Sequence, residues 1–320
     1  MDLSARTLRR LIVRIRPMVM LLFAAWFLDA PAYAKDAPLI EEITVDRAGI
    51  AARLYLPSAD DTNGAVVLML GGSDGGYPSP RAALDLARSG HPVLALAYFS
   101  GFSAKIDGVP ERLETIPLEY SYGALEWIRR RFGANRTIAV MGESRGAELA
   151  LLIGSRRADV DAIVAFSPSS LVWPAVGDRT GKIAAWTEAG LPVPFVDIPV
   201  SDPLHQFRDG LNDEVRARTS AIPVEQSKAA ILLVSSRSDR IWPASQMADQ
   251  ISARLVSAGF GPSVRNLQYD DASHLLMGPG PGVVSFTQGT FSVHFGGSEA
   301  GTLKAREAAW KETKIFLAGL

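Results

Sequence analysis

Five short apolar runs punctuate the chain, each leading into a helical or loop segment. They are Gly64–Leu70 (GAVVLML), Pro92–Tyr98 (PVLALAY), Thr137–Gly142 (TIAVMG), Ala162–Ser167 (AIVAFS) and Ala229–Ser235 (AAILLVS). Apolar runs this short, with no polar alternation, fit strands buried on both faces. Helical patterns fall over Pro80–Ser89, within Leu113–Arg131, over Ala147–Ser155, over Ala244–Ala258 and over Gly301–Leu317, with a further strand at Val264–Tyr269. That alternation predicts an α/β fold, a mostly parallel central sheet with helices on both faces. Glu41–Pro57 reads as two strands joined by a turn at Asp46–Gly49, giving an N-terminal hairpin segment over 35–63 ahead of a main domain over 64–320. Pro168–Glu225 breaks the rhythm. It is proline-rich, carries Trp173, Trp186, Phe195 and Phe207, and mixes charges. A structureless loop of that length would be unusual, so a cap-like insertion over about 168–225, with short helices of its own, is expected at one end of the sheet. The plainer alternative is a solvated excursion.

The first 34 residues are a different kind of sequence. Arg6, Arg9, Arg10, Arg14 and Arg16 precede the uncharged run Met18–Leu28, and Ala32-Tyr33-Ala34 follows. A basic start, an apolar centre and small residues at the end follow the plan of a secretory signal peptide. The run is shorter than the roughly 20 residues a spanning helix needs. The expected mature chain begins near Lys35, carries no membrane span and works outside the cytoplasm, in the periplasm or beyond. A formal net charge of -1 gives no electrostatic case for nucleic acid. The absence of cysteine removes disulfides, thiolate metal sites and a cysteine nucleophile.

Within IAVMGESRGAELALL, Ser144 lies between Gly142 and Gly146, where a buried strand gives way to a helix. A turn that tight forces its middle residue into strained angles, and flanking glycines remove the Cβ atoms that would collide. The strain lifts the hydroxyl off the sheet edge, while the helix aims its first N–H groups at the same spot. The alternative is a serine N-cap with glycines for packing, but a cap requires neither glycine.

A serine hydroxyl needs a base to become a nucleophile. Of the four histidines, His91 sits on the wrong side of the sheet, His205 lies in the insertion, and His294 lies in FSVHF, which looks like packing. His274 follows the last predicted strand, on the rim where Ser144 emerges, and is the candidate base. Asp239 follows Ala229–Ser235 in the same way and is the candidate to orient it, with Asp270 and Asp271 as lesser alternatives. The order Ser144, Asp239, His274 is the one such sheets use. Acyl transfer also needs N–H donors for an oxyanion. Arg145, next to the serine, should supply one, and the loop GGSDGG after Gly64–Leu70 the other, from Gly72, Ser73 or Asp74. That loop lacks the lysine of a nucleotide site. Trp173, Trp186 and Trp242 could line an acyl pocket, although tryptophan is more often core. Four dispersed histidines and no cysteine leave no expected metal, and no cofactor is expected.

The segment from Glu114 to Ser155, with LGGSDGG, LALAYF, SDRIWPASQMA and ASHLLMGPGPG, resembles the C-terminal catalytic domain of the acyl-CoA thioester hydrolase and bile acid-CoA:amino acid N-acyltransferase family. The similarity runs from about Ile43 to the C-terminus. It implies an α/β-hydrolase fold and cleavage of activated acyl groups through an acyl-enzyme, with the catalytic positions on Ser144, Asp239 and His274. Family members often carry a preceding β-sandwich domain; too few residues precede Gly64 here for one of typical size. The acyltransferase branch uses a cysteine nucleophile, so a serine with no cysteine points to water as acceptor. The expected function is an exported serine hydrolase of a small-molecule acyl thioester or ester. The rivals are a carboxylesterase or dienelactone-hydrolase-like enzyme, and a non-catalytic binding protein that kept the fold. Acyl length, leaving group and oligomeric state are open.

Overall fold

A computed structural model describes residues 38–58, 64–102, 104–176, 180–197, 203–289 and 291–320. The expected signal segment lies outside these residues. In chain order the strands are β1 (Leu39–Ile43), β2 (Ala51–Leu56), β3 (Val66–Leu70), β4 (Val93–Ala97), β5 (Ile116–Pro117), β6 (Ile138–Glu143), β7 (Ala162–Phe166), β8 (Trp186–Glu188), β9 (Leu191–Pro192), β10 (Ala230–Ser236), β11 (Val264–Tyr269), β12 (Ser285–Gln288) and β13 (Phe291–His294). The helices are α1 (Val45–Ala48), α2 (Pro80–Arg88), α3 (Leu118–Phe132), α4 (Arg145–Arg156), α5 (Pro203–Asn212), α6 (Glu214–Thr219), α7 (Ala244–Ser257) and α8 (Glu299–Ala318).

The main sheet has eight strands in the order β1-β2-β4-β3-β6-β7-β10-β11. From β4 to β11 every pairing is parallel; β1 and β2 join antiparallel at one edge. All residues of β3, β4 and β7 are buried, as continuous apolar strands require. Successive residues serve opposite faces. Leu68, Leu94, Val140, Ile163 and Leu233 pack with α3, α4 and α7. Val67, Met69, Met141, Val164 and Phe166 pack with α2 and α8. Local chemistry fixes the helix starts. Ser79 accepts from Ala82 N ahead of Pro80, which takes the first helical position of α2. Ser298 caps α8, and the Asp271 carboxylate in turn accepts from its N–H and hydroxyl.

Three elements differ from the sequence reading. The Asp46–Gly49 turn contains a single helical turn, α1. Ile116 is not helical; with Pro117 it forms β5, which pairs in parallel with β8 of the insertion. FSVHF supplies a strand, β13 (Phe291–His294), folded back antiparallel on β12, and leaves His294 exposed rather than packed. The insertion does carry short helices, α5, α6 and a 3₁₀ turn at Val224–Gln226, plus the β8–β9 ribbon. The chain passes from β3 to β4 on one side and later resumes at β6 on the other, so the loops after β3 and β6 flank a crevice at the strand C-termini.

Candidate active site

Ser144 follows β6 directly and opens α4 with φ +59° and ψ -122°, a region that side chains rarely enter. Its hydroxyl makes no capping hydrogen bond to the helix, contrary to the N-cap alternative. The flanking glycines are required by close backbone approach. A Cβ on Gly142 would strike the Gly146 carbonyl, and one on Gly146 would strike the carbonyl of Gly71 and lie 2.6 Å from that of Leu70. The strained turn is therefore wedged against the loop after β3, and a Cβ on Gly72 would sit 3.5 Å from Ser144 Cβ.

Asp239 ends the turn after β10, and His274 lies in the loop after β11. His274 Nδ1 and Asp239 Oδ2 are 2.7 Å apart. The other carboxylate oxygen, Oδ1, accepts from Ile241 N at 2.8 Å and Trp242 N at 3.3 Å, which fixes its orientation. Ser144, Asp239 and His274 are 7%, 9% and 3% exposed. Burial pushes the imidazole pKa down, but the facing Asp239 carboxylate, its hydrogen bond and the charge of Glu143 outweigh this and raise it. Nε2, the second ring nitrogen, is buried without a hydrogen-bond partner among the described residues.

Two contacts bring the His274 loop to the serine turn. Glu143, immediately before Ser144, accepts at Oε1 from Leu276 N at 2.6 Å and Met277 N at 2.7 Å. Ser167 Oγ, after β7, donates to the His274 carbonyl at 2.6 Å, while Ser144 N donates to the Phe166 carbonyl. Asp270 and Asp271 are engaged elsewhere: Asp270 pairs with Arg237 at 2.6 Å, and Asp271 holds Ser298.

The loop of Gly72, Ser73 and Asp74 is fixed from behind. Tyr98 Oη donates to the Gly71 carbonyl at 2.5 Å and to that of Gly72 at 3.4 Å. Among the described residues no backbone carbonyl accepts the N–H of Gly72, Ser73, Asp74 or Arg145. Sequence reasoning missed Tyr98, whose role depends on a carbonyl 27 residues back, before the helix α2.

Arg145 and Glu148 form a buried ion pair at 2.9 Å. Arg145 donates to the carbonyls of Trp173 and Pro174, and Glu148 accepts from Trp186 Nε1 at 2.7 Å and from Trp173 N. Burial lifts the Glu148 pKa to about 7 despite its partner. The pair thus clamps the insertion onto the helix that Ser144 opens. The three tryptophans expected at an acyl pocket sit in the interior. Trp173, Trp186 and Trp242 are 1%, 0% and 3% exposed and lie in packed clusters, with Phe207 edge-on between Trp173 and Trp242. Trp242 meets the His274 ring edge-on at 5.7 Å, so it supports the imidazole from the side.

A cavity of about 500 Å³ lies beside Asp239, lined by Arg208, Arg237, Arg240, Asp271 and His294. Arg208 and Arg240 have no ion pair with a described residue. Among the described residues there is no cluster of His, Asp and Glu that could hold a metal, and no helix is long and apolar enough to cross a membrane.

The open, mostly parallel sheet and the strained serine turn at its C-terminal rim define an α/β-hydrolase fold. Solved structures carry the same architecture. An acylaminoacyl peptidase from Pyrococcus horikoshii matches with a TM-score of 0.55 at 15% identity, covering 88% of this chain and 42% of that one. A candidate dienelactone hydrolase from Klebsiella pneumoniae matches with a TM-score of 0.53 at 14% identity, covering 89% of this chain and 100% of that one. A family model described as "BAAT / Acyl-CoA thioester hydrolase C terminal" matches residues 116–319, and the chain belongs to that family. Similar proteins include acyl-coenzyme A thioesterase 2, mitochondrial, of Mus musculus, 27% identical over 294 residues, covering 88% of this chain and 60% of the relative. Bile acid-CoA:amino acid N-acyltransferase of Homo sapiens is 25% identical over 289 residues, covering 88% and 65%. The chain spans less than two thirds of the length of these relatives.

Proposed function

We propose that this protein is a serine hydrolase that cleaves an activated acyl group, a thioester or an ester, through an acyl-enzyme. The observation that carries the reading is the buried Asp239–His274 pair on the sheet rim where Ser144 is held in strained geometry. Ser144 Oγ attacks the carbonyl carbon and its proton passes to His274 Nε2. Asp239 holds Nδ1–H and stabilises the resulting imidazolium. The N–H of Arg145 and those of the Gly72–Asp74 loop stabilise the oxyanion. Collapse expels the thiol or alcohol, which takes the proton from Nε2. Water then repeats the sequence on the acyl-enzyme, releasing the acid and restoring Ser144. The unpaired Nε2 is the nitrogen this scheme needs, and hydroxyl–imidazole contacts commonly tighten only when substrate binds.

Membership of the thioester hydrolase family supports an acyl thioester as substrate. An ordinary carboxylic ester is the second reading, favoured by the start of the chain. Its basic-apolar-small pattern supports export to a compartment where coenzyme A is scarce. A fluorophosphonate probe should label Ser144 in the folded protein. Failure to label would favour a binding protein that kept the fold. A panel of acyl-CoA thioesters and p-nitrophenyl esters compared by kcat/KM separates the two substrate classes. Mass spectrometry of the protein from a secretory host tests export, which predicts a mature N-terminus near Lys35; an intact Met1 in the cytoplasm would refute it.

A further inference from the structure

The β12–β13 hairpin looks peripheral, yet the segment leaving it touches both loops that carry the proposed acid and base. The Phe295 carbonyl accepts two backbone hydrogen bonds, from Arg240 N at 3.2 Å and from His274 N at 2.9 Å. One donor adjoins Asp239; the other is His274 itself. Asp239 and Gly296 form an isolated antiparallel bridge. Phe295 N is fixed in turn to the Val284 carbonyl at 2.7 Å, so the accepting carbonyl is held from the other side.

The next two residues leave no room for error. Gly296 has φ +100°, and a Cβ there would strike the Ser238 carbonyl and lie 3.1 Å from Arg240 N. Gly297 has φ +59°, and a Cβ there would strike the Ala272 backbone. One glycine is pressed against the Asp239 turn and the other against the approach to His274. Left-handed angles and backbone contact together exclude any side chain at these positions.

We infer that Phe295-Gly296-Gly297 is a positioning strap that sets the Asp239–His274 separation and aims Nε2 at Ser144. The inference rests on the serine-hydrolase reading. The strap touches no reacting atom. It acts through two backbone loops, each of which ends a different strand and has no direct sequence link to the other. Nearer their strands the two loops are also tied directly, by Arg237 N to the Tyr269 carbonyl, Ser236 Oγ to the Ala272 carbonyl, Ser238 Oγ to the Asp270 carbonyl and the Arg237–Asp270 ion pair; the strap adds an attachment at Arg240 N and His274 N, beside the 2.7 Å contact itself. Small misplacements of such a pair are costly in rate, because proton transfer needs both distance and direction.

The test uses the full chain and counts active sites. Gly296→Ala should lower kcat per fluorophosphonate-reactive site by about 10- to 100-fold, with KM changed by less than about threefold. The acid limb of kcat/KM should move to lower pH. Loosening the Asp239 contact removes the main influence that raises the imidazole pKa against burial, while Glu143 remains. A merely structural role would lower the number of reactive sites but leave kcat per site and the acid limb unchanged. Leu54→Ala, in the core on β2 at the other end of the sheet from β10 and β11, is the matched destabilising control and should show that pattern. His294→Ala decides the matter if Gly296→Ala does not fold. It removes the Nδ1 acceptor that holds Gly296 N at 3.0 Å, from an exposed position and without a clash. It should produce a smaller loss, about 3- to 5-fold, with the same direction of pH shift. Wild-type kcat per site and a wild-type acid limb in both variants would overturn the strap. A wild-type protein that neither labels nor turns over would instead overturn the serine-hydrolase reading beneath it.

Discussion

Two pairs of glycines shape this site, and they do so in different ways. Gly142 and Gly146 flank Ser144, and the atoms they must clear belong to their own turn or to the end of neighbouring β3. Gly296 and Gly297 clear Ser238 and Ala272, which lie on separate loops far back in the chain. The first pair determines where one residue sits. The second determines how two residues from different strands face each other. A local constraint leaves a spacing in the sequence that can be read; a tertiary constraint leaves only two adjacent glycines among many. On the proposed serine-hydrolase reading both are needed, because acyl transfer would join a strained nucleophile, a local product, to a base and its orienting acid, which only the folded chain can bring together.

The largest expected effect tests the premise of that comparison. Ser144→Ala should lower kcat/KM by about 10⁴- to 10⁶-fold with little change in Tm, read by esterase assay and thermal melt. Retained turnover would place the nucleophile elsewhere and make the elbow glycines merely structural. Gly146→Ala comes next. Its Cβ would be driven into Gly71 and Leu70, where the neighbour is backbone and cannot give way cheaply. Fluorophosphonate labelling should be nearly abolished and stability should fall by about 2–3 kcal/mol in urea unfolding. Labelling at the wild-type rate would show that the elbow tolerates movement that the strap is argued not to.

Tyr98→Phe sharpens the comparison on the oxyanion side. The hydroxyl pins the Gly71 carbonyl, so its loss frees the loop proposed to supply oxyanion N–H groups, without removing a contact to Asp239 or His274. A fall of about tenfold in kcat, or roughly 1.4 kcal/mol, is expected, with the acid limb of the pH profile unmoved. That last feature separates it from the strap variants. A shifted limb would mean that the two supports are not independent.

Much of this architecture was legible in the sequence because each signal was short-range. The apolar runs gave the strands of the parallel sheet, and the serine between glycines gave the elbow. The position of Asp239 and His274 just past strand ends placed them on one rim. The pairing of Ile116 with Trp186 was not legible, because a two-residue strand has no periodicity and exists only through its partner. What encloses Trp173 and Trp186 was not legible either, although burial is the commoner place for tryptophan. Their surroundings are created by Arg145 and Glu148, whose charges are satisfied by backbone and indole groups of the insertion rather than by solvent. A charged pair inside a helix start reads in sequence as a solvated face. Only the fold shows that it is closed over, at a cost that appears in the raised Glu148 pKa.

Glu143→Gln carries the smallest expected effect and separates charge from geometry. The glutamine oxygen can still accept from Leu276 N and Met277 N, so the tie between the serine turn and the His274 loop is kept. What is lost is a negative charge near the imidazole, one of the influences that raise its pKa. The base must be neutral to accept the serine proton, and the neutral fraction falls below its pKa. A raised pKa therefore puts the acid limb of kcat/KM above the ordinary histidine value of 6.5, and removing the charge moves that limb down. The pH-independent kcat should stay within about threefold of wild type. A large loss of kcat with no movement of the limb would mean that Glu143 holds the loop through its charge. The His274 loop would then be set from the nucleophile side as strongly as from Phe295, and the division between local elbow and long-range strap would no longer hold.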